Sequence, residues 1–350
     1  MFKNLMNNYF YGKAGKADLN VEDMPATRPQ LFRETLRVRF SALIRLNLMY
    51  LVVWLPTIVI LAMGGATAMN AMNQMDLGDG TSSLTRYVAE AQDQAQEADA
   101  SEAVKEAAQM NPGQVLSAQQ VVDALYSVLF STLLWLFPCI AITGPATAGV
   151  TYVTRNWARD EHAFIWSDFK DAVKDNWKQA LPVSVITGAL PLVVFVAWRF
   201  YGAQAEASPF FIVPQVLVLM IGIIWSISVT YMYPLMVSYK LRFSELMRNA
   251  LLIAVARLPM SVGIRLLHCV PCLIAGVVIY FFSPQWGALG LAAYYILIGY
   301  TLSRFVTASY TNAIFERFIN PRIEGAPVNK GLYLEPDEDE DEDSAEDGEA

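Results

Sequence analysis

The 350-residue chain is 55% apolar and only 17% charged, with a mean hydropathy of +0.33. Soluble domains carry roughly 25% charged residues, so the composition excludes an ordinary soluble globule. The net charge of −8 belongs to one end: residues 337–350 hold ten acids and no base, and setting those aside leaves 23 acids against 25 bases. An acidic chain with a near-neutral body is also a poor nucleic-acid binder.

In chain order, residues 1–45 form a basic N-terminal segment, with an amphipathic helix expected over 29–45. A membrane helix needs about 20 apolar residues to cross the hydrocarbon core. Six stretches meet that need: about 46–66, 121–143, 181–201, 211–236, 260–282 and 286–307. The first begins too late for a cleavable signal peptide and is expected to act as an uncleaved anchor. Pro56, Pro138, Pro191 and Pro234 fall within the spans. Membrane helices tolerate proline where neighbours satisfy the freed carbonyls.

Between the first two spans, 67–120 reads as an external helical hairpin. Its helical stretch, 84–110, is ended by Asn111-Pro112-Gly113. Gly144-Pro145 is expected to end or bend the second helix. Two amphipathic helices are expected outside the bilayer. Over 164–180, Trp166, Phe169, Val173 and Trp177 recur at helical spacing, and Ser167 or Asp168 could cap its start. Over 243–257 the second stops at Leu258-Pro259. Residues 46–320 thus form the membrane domain. The final segment, 321–350, is a tail expected to be disordered from 336, because a run of acids cannot bury apolar surface.

The fold class is an all-α polytopic membrane bundle of about six transmembrane helices, with amphipathic helices on the cytoplasmic side and a helical loop outside. Orientation follows from Lys and Arg, which collect on the cytoplasmic side of bacterial membranes. Segments on the side of both termini hold 22 of them and the opposite loops 3, so both termini are expected in the cytoplasm.

Catalytic signatures are not evident. The sequence shows no P-loop, dinucleotide-binding glycine pattern, nucleophile elbow or zinc-protease helix. No carboxylate sits mid-span, as a proton- or ion-coupled pathway would need. Arg265 and Arg304 lie near expected cytoplasmic helix ends, where they could snorkel to headgroups. Cys269 and Cys272 form a C-x-x-C beside His268, but two histidines in the whole chain make a four-ligand zinc site hard to assemble. No catalytic residue, cofactor or metal site is therefore expected. The most particular sequence follows the second span. There Gly144 and Pro145 precede Arg155, Arg159, Glu161, His162, Trp166, Asp168 and Phe169. That set reads either as an elbow held by ion pairs or as a docking motif for a partner protein or lipid headgroup.

At these residues the chain resembles the YesL-like family of bacterial membrane proteins, a domain of unknown function. The resemblance rests on GPATAG (144–149) with Arg155, Arg159, Glu161-His162 and Trp166-Ser167-Asp168-Phe169. It continues in Leu46-Asn47-Leu48 with Pro56, Asn176-Trp177-Lys178-Gln179, Tyr233-Pro234-Leu235-Met236, Arg248-Asn249-Ala250 with Leu258-Pro259, and Asn320-Pro321-Arg322-Ile323-Glu324-Gly325. Against that pattern, 67–143 looks like an inserted loop and span. The resemblance implies a bacterial plasma membrane and an accessory role beside carbohydrate uptake, with the bilayer and a sugar-transporter component as partners. A permease is the alternative. It would need a continuous polar cavity lined by residues such as Asn47, Trp54, Gln215, Trp225 and Tyr231.

Overall fold

The computed structural model describes residues 24–96 and 101–333, so the acidic run 337–350 and Lys3, Lys13 and Lys16 lie outside the described residues. Among the described residues eleven α-helices follow one another: α1 (Arg28–Val38), α2 (Phe40–Asn73), α3 (Ser83–Gln94), α4 (Glu102–Ala108), α5 (Ala118–Trp157), α6 (Ile165–Ala207), α7 (Ile212–Ser238), α8 (Phe243–Ala256), α9 (Leu258–Phe281), α10 (Pro284–Tyr294) and α11 (Tyr300–Phe318). Six helical stretches among the described residues are long and apolar enough to cross a membrane: Phe40–Asn73, Ala118–Trp157, Ile165–Ala207, Pro209–Ser238, Leu258–Phe281 and Gln285–Arg322. The protein is an all-α, multi-pass membrane bundle.

Local chemistry sets several of the starts. Ser82 and Ser101 accept the backbone N–H three residues on, at 3.2 and 3.3 Å, and so cap α3 and α4. Ser117 and Gln120 form a reciprocal box at the head of α5. Pro259 stands in the first turn of α9, where its missing N–H costs nothing, and the chain kinks there out of α8. In the loop hairpin, α3 and α4 bury Val88, Ala91 and Ala107, and Gln92 Nε2 donates to the Ala108 carbonyl at 3.2 Å.

The structure departs from the sequence expectation in several places. The stretch 29–45 is divided at Arg39 between α1 and α2, and 84–110 is divided between α3 and α4. The helix expected from 164 is entered at Phe164, with neither Ser167 nor Asp168 as its N-cap. Two larger departures concern the second and third spans. The second span does not end at Gly144-Pro145; α5 runs on to Trp157. A proline removes the N–H that would bond the carbonyl four residues back, here Ala141. Ser184 Oγ on α6 donates to that carbonyl at 2.6 Å and replaces the lost bond from outside the helix. Gly144 makes the approach possible, since a Cβ there would lie 2.5 Å from the Ala180 carbonyl oxygen. Likewise, the amphipathic stretch 164–180 and the third span form one helix, α6. Ala172, Ala180, Val183, Ser184 and Gly188 bury one face continuously across the expected boundary.

The last span contains an irregularity. Tyr295–Gly299 form a π-helical turn between α10 and α11. Asn47, fully buried in α2, supports it. Its Nδ2 donates to the Tyr295 and Ile296 carbonyls at 2.9 and 2.8 Å, and its Oδ1 accepts the Thr301 N–H at 3.0 Å. A polar side chain in the membrane is thereby consumed by backbone groups that a regular helix would have paired.

The buried core gathers at the end of the bundle that carries Arg155, Arg159, Arg257 and the described terminal segments, the arginine-rich end. There α2, α5 and α11 enclose Leu46, Tyr50, Val153, Trp157 and Phe305. Beside them α6, α7, α8 and α11 enclose Val183, Tyr231, Leu235, Leu246 and Phe315.

Candidate functional site

Arg155 stands in the last turn of α5 and Arg159 in the turn just past its end at Trp157, and the two side chains lie on one side. Just beyond, Asp160 adopts the left-handed conformation (φ 55°), one that Asp accepts more readily than most side chains. The turn reverses the chain and closes with Glu161 N–H donating to the Asn156 carbonyl at 2.8 Å, which keeps Glu161 beside the two arginines.

The opposite wall comes from the far end of the sequence. α11 contributes Asn312, Phe315 and Glu316, and the turn Asn320–Arg322 sends the chain back across the end of α5. Asn320 holds this return: its Nδ2 donates to the Pro327 carbonyl at 2.7 Å, and its Oδ1 accepts from Tyr239 Oη at 2.6 Å. Gly331 (φ 79°) lies so close to α5 that a Cβ would sit 2.8 Å from the Arg159 carbonyl oxygen, so this pass requires glycine. The N-terminal segment joins it through Tyr333 N–H to Pro25 carbonyl at 3.0 Å and Arg28 Nη1 to Lys330 carbonyl at 3.1 Å.

These segments enclose a cavity of about 390 Å³. Its charges are unevenly matched. Glu316 is taken by Arg28 and by the Asn329 N–H (2.9 Å), and Glu161 by Lys330. Arg155 reaches Asn156 Oδ1 at 3.2 Å. The Arg159 guanidinium makes no hydrogen bond among the described residues, and its one carboxylate neighbour there, Glu161 Oε1, stands 4.0 Å away. Arg159 is 8% exposed. Arg155 Nε, Arg159 Nε, Ser238 Oγ and Glu316 Oε1 are buried without a hydrogen-bond partner. Burial pushes the Tyr239 hydroxyl up to about 12, although Arg155 and Arg159 pull the other way. It therefore stays a neutral donor. Leaving such groups unpaired is costly in a native protein, and the cavity concentrates four of them.

Residues 124–198 match the family model described as Protein of unknown function, DUF624. The match covers most of the second span, the arginine-bearing end of α5 and the start of α6 through the third span. It therefore includes most of a span that the resemblance to the YesL-like pattern sets apart as an insertion. A Bacillus subtilis (strain 168) protein, "Uncharacterized protein YesV", is 26% identical over 126 residues, which are 36% of this chain and 59% of that protein. No solved structure matches.

The nine residues singled out from the sequence separate in the structure. Arg155, Arg159 and Glu161 line the cavity. Gly144 and Pro145 sit roughly three helical turns away, at the contact of α5 with α6. Phe169 packs onto α5 at Gly149, where a Cβ would lie 2.7 Å from its ring. Asp168 Oδ2 accepts the Phe164 N–H at 2.9 Å and closes the first turn of α6. His162 is exposed with its ring 4.6 Å from Phe164, and Trp166 is 66% exposed. The sequence reading did not single out Arg28, Ser238, Tyr239, Asn312, Glu316 or Lys330. One signal was available: Glu316 is the single acid between Trp286 and Asn320.

A second cavity, of about 350 Å³, lies between α2, α9 and the π turn. Tyr50, Trp54, Tyr295 and Tyr300 form its aromatic wall, and His268 and Arg304 its polar one. His268 Nε2 bonds the Ser303 carbonyl at 3.0 Å. Arg265 and Arg304 turn inward rather than out to headgroups: Arg265 donates to the Ser226 carbonyl on α7, and Arg304 stands 5.7 Å over the Tyr233 ring. Cys269 and Cys272 are exposed, and among the described residues no three His, Cys, Asp or Glu side chains are grouped to hold a metal.

Proposed function

We propose that this is a non-catalytic accessory or regulatory protein of the bacterial plasma membrane, working through a cytoplasmic arginine-rich end beside a carbohydrate-uptake system. The observation that carries the reading is the cavity built from Arg155, Arg159 and the returning C-terminal segment, with buried guanidinium groups short of partners. Three chain-distant segments converge to make it: the end of α5, the end of α7 and the stretch from Asn312 to Lys330. The split of 22 basic residues against 3 supports a cytoplasmic placement of that end. The YesL-like resemblance supports the link to sugar uptake.

The polar side chains that a permeation path would need are largely engaged elsewhere. Asn47 serves the π turn, Trp225 Nε1 donates to Thr187 Oγ1 at 3.1 Å, and Tyr231 bonds Ser261 at 2.6 Å. Gln215 bonds the Trp198 carbonyl at 3.2 Å. Of the five residues proposed for such a path, Trp54 alone lines the aromatic cavity. The test is affinity purification from native membranes in mild detergent. A sugar permease, its ATPase or a regulator should co-purify, and should be lost with Arg159→Gln. Recovery of none of these would defeat the reading.

One observation favours a permease instead: the aromatic cavity with His268 and Arg304 lies within the bundle. Aromatic faces beside a few polar groups suit a sugar-like solute. Sugar uptake into proteoliposomes of the pure protein, abolished by Trp54→Ala, would replace the accessory reading with this one.

A further inference from the structure

We propose that the arginine cavity binds a phosphomonoester anion carrying at least one hydroxyl group, with the phosphate held between Arg155 and Arg159. This deepens the accessory reading above and rests on it for the choice of site.

Charge decides the ligand class. Arg155, Arg159, Lys330 and Arg28 stand at or against the cavity, opposed by Glu161 and Glu316, which leaves two formal positive charges uncompensated among the described residues. A phosphomonoester carries about −1.5 to −2 at neutral pH. Both carboxylates are already engaged by other cations, so neither neutralises Arg159. Two guanidinium groups held four residues apart repel each other, and an anion bridging them removes that repulsion. Guanidinium also pairs with phosphate in a bidentate geometry that a lone carboxylate partner would need at close range. Glu161 at 4.0 Å does not provide it.

The remaining unpartnered atoms point to more than inorganic phosphate. Glu316 Oε1 is an acceptor and Ser238 Oγ can donate or accept, and both are buried without partners. Small side-chain adjustments would let them meet a ligand hydroxyl, and Phe315 with Tyr239 provides an aromatic wall, the two rings 5.6 Å apart. About 390 Å³ falls in the range of small-molecule sites and exceeds what one phosphate fills. The same chemistry is offered by a soluble sugar or polyol phosphate and by the headgroup of phosphatidylglycerol phosphate, which carries a free hydroxyl and a terminal phosphomonoester.

Full-length protein in phosphatidylcholine nanodiscs should be titrated calorimetrically with glycerol 3-phosphate, inorganic phosphate and glycerol. Saturable binding of glycerol 3-phosphate, tighter than phosphate, with none for glycerol, is expected. Arg159→Gln should weaken it roughly tenfold or more, the scale of one charged hydrogen bond, whereas Arg322→Gln, outside the cavity, should not. If Arg159→Gln does not fold, Lys330→Gln, whose side chain is 42% exposed, should weaken binding roughly threefold. Nanodiscs containing phosphatidylglycerol phosphate separate the sources: lost affinity for the soluble probe assigns the site to the headgroup, and unchanged affinity assigns it to a soluble ester. Absence of saturable binding by either phosphate probe, or binding unaltered by both cavity variants, would overturn the proposal. The purified protein is titrated alone, so the result is independent of whether any partner co-purifies.

Discussion

The two halves of α5 obey different rules. From Val122 to Ile142 only Leu136 is buried; from Thr143 to Trp157 everything is buried except Pro145, Tyr152 and Arg155, which are half-buried. α7 repeats the division, with no residue buried over 212–226 and every one buried over 227–236. In a bilayer there is no hydrophobic drive between helices, because lipid is as apolar as a leucine. The lipid-facing halves therefore need only be apolar, and their sequence is correspondingly plain. The arginine-rich halves must pack by shape and hydrogen bond. They use Gly and Ala where backbones approach, and Thr143, Thr147, Thr151 and Thr154, whose hydroxyls return to carbonyls of their own helix.

The largest expected break in this contrast is Gly144→Leu. Its side chain would enter the Ala180 carbonyl and the Ser184 side chain, on a contact with no slack. Overpacking against backbone is expected to cost about 3 kcal/mol and a large fall in Tm of the detergent-solubilised protein. Gly65→Leu on α2 meets nothing within 4 Å and should leave the melting curve in place. Equal falls at both positions would show that close packing does not distinguish the two kinds of surface.

Next in size is Glu316→Ala. It removes the acceptor shared by Arg28 and the Asn329 N–H, at a carboxylate only 6% exposed. With Arg28 partly solvated at 23% exposure, a loss of about 2 kcal/mol is expected, below that of a fully buried pair. Limited proteolysis should then cut within 24–40 and 320–333 while α5, α6 and α7 stay protected. Unchanged protection of the two terminal segments would show that this ion pair does not fasten them.

The spans were legible because hydropathy over about 20 residues responds to lipid, which is the same along every helix. The arginine pair was legible as an unusual cluster at the end of an apolar run. The cavity was not. Its other wall is 150 residues away, and only the return turn at Asn320 and the glycine pass at Gly331 bring it to Arg159. The continuation of α5 past Gly144-Pro145 was illegible for a similar reason. Whether a proline ends a helix depends on a donor from another helix, and Ser184 is an ordinary residue in its own sequence context. His162 and Trp166 stood out as residue types, yet they are exposed and do not line the cavity.

That donor gives a smaller and more exact test. Ser184→Ala leaves the Ala141 carbonyl without a partner, at an expected cost of about 1 kcal/mol. Pro145→Ala restores the N–H within α5. In the Pro145→Ala background, Ser184→Ala should therefore cost much less, giving a coupling of about 1 kcal/mol in a double-mutant cycle. Additive effects would show that Ser184 does not substitute for the missing helix bond.

The smallest effect belongs to the opposite end of the molecule, where order is local and solvated. Asp79 accepts the Thr81 N–H at 3.0 Å, bonds the Thr81 hydroxyl and pairs with Arg86. The Thr81 hydrogen bonds first, then Arg86, lower its carboxyl from 3.8 to about 2. A carboxylate whose folded pKa is depressed contributes stability above its unfolded value and loses it as pH falls through the folded one. The turn at 77–86 should thus hold above about pH 4 and loosen toward pH 2. Amide exchange, corrected for intrinsic rates, should accelerate there over that window. Asp79→Asn should flatten the response, while the amides of 146–157 show no change tied to this residue. If those buried amides shifted in step with 77–86 and Asp79→Asn abolished both responses, the loop and the arginine-rich core would be one cooperative unit, and the division drawn along α5 would not hold.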